Sequence, residues 1–104
     1  MSAVMSKPET PAVVYSFEGA HAHLATEKDI AFAITQAKEV FERNEVDPLA
    51  CAAAIAKMEG DELLTREEAL LCVIWDEAEE AAFKALTIGW LSRDVDIILK
   101  VTPA

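Results

Sequence analysis

A chain of 104 residues, 53% hydrophobic and 27% charged, is sized for one small folded domain and excludes a disordered, solvated polypeptide. Its formal net charge of −10 repels phosphate backbones and anionic lipid, so direct nucleic-acid and membrane binding are disfavoured and a basic partner is favoured. With 3 Gly, 4 Pro and abundant Ala, the composition leans toward helix before any pattern is considered.

Residues 1–24 read as a mobile tail followed by an extended arm. The tail carries Pro8 and Pro11, and a second possible start at Met5 suggests that the first residues are dispensable. It lacks a basic stretch followed by a long apolar core, so no signal peptide is expected. In "VVYSFE", Val13, Tyr15 and Phe17 alternate with Val14, Ser16 and Glu18, as in a short strand or an arm laying its aromatic rings on the domain. Residues 25–104 read as a single helical domain.

A first helix is predicted after Thr26, a good cap, with Glu27 and Asp29 in its first turn. Ile30, Ala33, Ile34, Ala37, Val40 and Phe41 recur on one face, and Phe32 stands among the polar residues opposite. Asp47 and Pro48 open a second, alanine-rich helix that Gly60 closes. "TREE" at 65–68 is a capping box opening a long third helix that runs to about Leu91. Its core stripe takes in Leu70, Leu71, Ile74, Ala78, Ala81, Ala82, Ala85 and Ile88. Trp75 and Leu86, then Cys72, Phe83 and Trp90, widen that stripe on one flank, and Asp76, Glu80, Lys84 and Thr87 remain as a polar strip. The last segment alternates at Val95, Ile97, Leu99 and Val101 like a strand that would pair with residues 12–17. Its residues also fit a short helix capped by Ser92, and the helix is favoured. The fold predicted is all-α: a small bundle of three to four helices with a long third helix and an extended N-terminal arm.

The acids are the first candidates for chemistry. Glu39 and Glu42 are three residues apart on the first helix, and Asp76 with Glu79 and Glu77 with Glu80 repeat that spacing on the third. Such pairs on two helices can hold Mg²⁺, which prefers carboxylate oxygens. In those pairs alone the chain resembles the all-α nucleotide pyrophosphohydrolases of the MazG type, a resemblance that implies a Mg²⁺ site at Glu39, Glu42, Glu77 and Glu80. The plain alternative is a solvated acidic face, and that reading is preferred. His21 and His23 read as a surface pair in a loop without third or fourth ligands nearby. Cys51 and Cys72 have no basic neighbour in sequence to activate them and read as reduced, buried thiols of a cytoplasmic protein. A helix-turn-helix made of the second and third helices would present acids to phosphates and is set aside.

The apolar excess is more informative. The third helix carries more apolar surface than one core requires. Either the two termini wrap it, or Phe32, Cys72, Trp75, Phe83 and Trp90 anchor a protein interface. The function expected is a non-enzymatic interaction protein of adaptor, immunity or inhibitor type, homodimeric and bound to a further protein, with no cofactor and no catalytic residue. The alternatives are an acidic mimic of nucleic acid and the Mg²⁺-dependent hydrolase.

Overall fold

The structure, a computed structural model, describes residues 13–86 and 97–104. In chain order it contains strand β1 (Val13–Glu18), a 3-10 turn (Ala22–Leu24), helices α1 (Glu27–Arg43), α2 (Pro48–Glu59) and α3 (Arg66–Ala85), and strand β2 (Ile98–Pro103). The expected tail, the interface candidate Trp90 and the expected positions of Thr87, Ile88, Leu91, Ser92 and Val95 lie outside the described residues.

Each helix begins where its cap dictates. The Thr26 hydroxyl accepts from the Asp29 N–H at 3.1 Å, and the Asp47 carboxylate accepts from the Leu49 N–H at 2.9 Å. At α3 the capping box is reciprocal: Glu68 N–H donates to Thr65 Oγ1 at 3.1 Å and Thr65 N–H to Glu68 Oε1 at 2.9 Å. α1 and α2 end alike. Past the last turn, Glu45 (φ 55°) and Asp61 (φ 59°) take the left-handed conformation. The next N–H groups, of Val46 and Glu62, return to the carbonyls of Phe41 and Lys57 at 3.2 and 3.0 Å. Gly60 is the cap of α2, but the left-handed position falls on Asp61.

The all-α expectation is overturned by the sheet. β2 is a strand, not a helix, and pairs antiparallel with β1 from Val13↔Pro103 to Glu18↔Ile98. Its two-residue period buries Leu99 and Val101 and leaves Ile98, Lys100 and Thr102 exposed, so one pleated face closes the core. The Leu99 N–H is bound by Glu79 of α3 and therefore points away from β1. In an antiparallel pair that phase repeats every second residue. Val101 and Pro103 thus also turn their backbone outward, and proline costs the ladder no donor there. Over the described residues the protein is mixed α/β: three helices with a two-stranded sheet packed against them.

Phe41 sits at the centre. Its ring lies 6.4 Å from that of Tyr15 on β1 and 6.0 Å from that of Trp75 on α3. Ala33 and Ala37 of α1, and Ala78 and Ala82 of α3, are wholly buried, so these two helices can approach closely. α3 ends at Ala85, short of the predicted Leu91, and Leu86 leaves the helix extended and buried. Leu70, expected in the core stripe, is 58% exposed. The Arg43 end of α1 meets Glu77, and Leu70 lies about 10 Å further along the α3 axis, beyond α1. No helix of the described residues is long and apolar enough to cross a membrane.

Candidate functional site: an acidic cleft at the β2 edge

The run Asp76-Glu77-Ala78-Glu79-Glu80 contains two carboxylate pairs, each spaced by three residues and offset from the other by one. One residue is about 100° of helix rotation, so the pairs leave α3 on different flanks. Glu77 and Glu80 join Phe32, Gln36, Glu39, Arg43 and Lys84 in a groove of about 410 Å³ between α1 and α3. There Arg43 bonds Glu77 Oε2 at 2.7 Å, with both side chains at least half exposed. Glu42 is not in this groove; it lines another hollow with Tyr15 and Lys38. The four carboxylates that suggested a Mg²⁺ site do not converge: Glu39 lines the groove with Glu77 and Glu80, and Glu42 lines the hollow beside Tyr15. Among the described residues no three carboxylate, imidazole or thiol groups stand close enough to share a metal ion.

Asp76 and Glu79 face the other flank. They line a cleft of about 240 Å³ with Ile55, Met58 and Glu59 of α2, Trp75 of α3, and residues Ile98 to Thr102 of β2. Side chains alternate across a strand, so five successive lining residues mean that the backbone edge itself forms one wall. Among the described residues β2 pairs only with β1, and its outward phase turns the N–H and C=O of Val101 toward this side.

Glu79 is half-buried. Its Oε2 accepts from the Leu99 N–H at 3.4 Å. Burial pushes its carboxyl pKa up, the Leu99 bond opposes that rise, and the nearby charges of Asp76 and Glu59 add to it. Lys100 is the one cation among the lining residues, and its Nζ lies 4.0 Å from Glu18 of β1. The cleft therefore combines an apolar floor, an outward-turned strand edge and three carboxylates in its lining. A cation that entered it would relieve repulsion already present.

The thiols do not offer a nucleophile. Burial, with Asp47 and Cys72 adding to it, pushes Cys51 up to about 11. Cys72 is raised by burial and by the charges of Asp76 and Glu68. Both are free and buried, and a thiol held protonated at neutral pH reacts poorly. His21 caps the 3-10 turn and His23 lies within it.

The interface candidates are dispersed. Cys72 and Trp75 are each only 6% exposed, covered by their own chain: Trp75 lies beside β2, and Cys72 lies within electrostatic reach of Cys51 on α2. Phe83 is half-buried against the core. Phe32 is 55% exposed at the α1–α3 groove. Three residues escaped the sequence reading: Asp76 and Glu79 as a cleft pair, and Val73, which is 62% exposed on α3. A signal for Glu79 existed. It stands four residues from both Trp75 and Phe83, a carboxylate inside the apolar flank. No protein-family model, no curated protein and no solved structure matches this chain.

Proposed function

We propose that this chain is a non-enzymatic interaction module, of adaptor or inhibitor type, that receives a basic, extended segment of a partner protein in the cleft between α2, α3 and β2. The observation that carries this reading is Glu79: a half-buried carboxylate crowded by Asp76 and Glu59 beside an outward-turned strand edge. Main-chain bonds along such an edge supply affinity, and side-chain charge supplies selection. A Lys or Arg side chain of the partner neutralises the three acids, and its apolar neighbours rest on Trp75 and Ile55. The net charge of −10 steers the same class of partner from a distance. Two free, buried thiols suit a reducing compartment such as the cytoplasm.

The test is selection from a random decapeptide library by the full chain and by an Asp76→Asn, Glu79→Gln double variant. The wild type is expected to enrich peptides in which Lys or Arg alternates with aliphatic residues. The variant is expected to lose that enrichment while melting cooperatively. Enriched peptides without basic residues, or equal enrichment by the variant, would overturn the reading.

A further inference from the structure

We infer that a second copy of this chain docks antiparallel on the outer face of α3, through Arg66, Leu70, Val73 and Glu77. These residues are spaced four, three and four apart, which places them in one row along the helix. All four are exposed. Val73 stands in the middle of the polar strip, and Leu70 lies past the end of α1, so both apolar side chains remain more than half open to solvent.

The order of the row is what selects the partner. It reads cation, apolar, apolar, anion. Turned end for end about a two-fold axis between Leu70 and Val73, the row meets its own copy with Leu70 on the partner's Val73 and Arg66 beside the partner's Glu77. Both contacts occur twice, as two-fold symmetry requires. A parallel copy in register would set like charges together, and a uniformly basic helix would meet Arg66 with repulsion. Arg66 is available for this role: among the described residues no carboxylate lies within ion-pair distance of it. Glu77 gives one oxygen to Arg43, and that pair is solvent-exposed. The row lies on a different flank of α3 from the cleft, so this inference stands or falls independently of the proposed partner segment.

Two apolar side chains per copy make a small contact, and each copy brings a net charge of −10. Association is therefore expected in the range from tens of micromolar to about one millimolar. Sedimentation equilibrium of the full chain across that range, with Arg66→Glu, Glu77→Arg and the double reversal, tests the inference. The wild type is expected to approach twice the chain mass. Each single reversal should weaken association by roughly tenfold, and the double reversal, which restores opposite charges across the axis, should recover most of it. Thermal melts check that all four proteins fold. A wild type that stays monomeric through one millimolar would overturn the inference. So would single reversals without effect, or a double reversal as weak as the singles.

Discussion

The two flanks of α3 carry nearly the same acids and treat them in opposite ways. On the α1 side, Glu77 and Glu80 share a groove with Arg43 and Lys84, and one close ion pair offsets the charge. On the β2 side, Asp76 and Glu79 meet Glu59 instead, and Glu79 is half-buried with its carboxyl pKa raised. One residue of helix rotation separates a screened, solvated pair from a crowded, partly desolvated one. Charge in a sequence thus says little until the neighbours of each flank are known. The flanks also differ in how they are closed: alanines line the α1 side, and a strand covers the β2 side.

The sharpest way to break this contrast is to cut one large side chain on each flank. Leu99 is wholly buried on the inner face of β2, whereas Phe32 is more than half exposed at the α1–α3 groove. Leu99→Ala is expected to cost about 2–5 kcal/mol of stability, from lost transfer energy and the cavity left behind. Phe32→Ala should cost less than about 1 kcal/mol. Chemical denaturation of both variants checks the pair. Equal losses would mean that the β2 flank does not close the core as described.

What the sequence disclosed about these flanks follows the range of the forces involved. The starts of α1, α2 and α3 were legible at Thr26, Asp47 and Thr65, because a cap acts within three residues. β2 was misread because its partner is 80 or more positions away, and a six-residue run satisfies both periods when that partner is ignored. The burial of Trp75 was hidden for the same reason: the wrapping that covers it depends on the sheet. Glu79 is a different case. Its place between Trp75 and Phe83 was readable, but the spacing it shares with Glu77 and Glu80 drew attention to the pair with the more open exposure.

Protonation separates the flanks more finely. The pKa of Glu79 is raised in the folded chain, so its contribution favours folding below its unfolded value and is lost as pH rises through the folded one. At neutral pH the ionised group is a burden. Glu79→Gln keeps an acceptor for the Leu99 N–H and is expected to raise the melting temperature at pH 7. That gain should fade as the pH falls through the acid range and the wild-type carboxyl takes up its proton. Glu68 has the opposite sign. Lys57, donating at 2.8 Å, lowers its pKa, with help from Thr65, so its contribution is present above the unfolded value and is lost as pH falls through the folded one. Melting curves of Glu79→Gln and Glu68→Gln should therefore diverge from wild type in opposite directions at neutral pH, the first upward and the second downward, and both should converge on it in acid.

A backbone effect of similar size touches neither flank's charges. Glu45 holds φ 55°, where a Cβ is crowded, to close α1 just beyond the Arg43 that pairs with Glu77. Glu45→Gly is expected to stabilise the chain by about 1 kcal/mol, relieving that strain and removing an anion from the negative end of the helix dipole. Asp61→Gly should gain less, because a short polar side chain tolerates the left-handed region better.

The smallest expected effect is the one that the close Arg43–Glu77 contact most tempts a reader to overrate. Both side chains are at least half exposed, and a surface ion pair spends side-chain entropy to gain a screened attraction. Glu77→Gln should change stability by less than about 0.5 kcal/mol, and by less still at high salt. A double-mutant cycle with Arg43→Gln measures the pair alone. A coupling above about 1 kcal/mol would show the α1 flank to be desolvated after all. The contrast with Glu79 would then rest on the presence of Arg43 rather than on exposure.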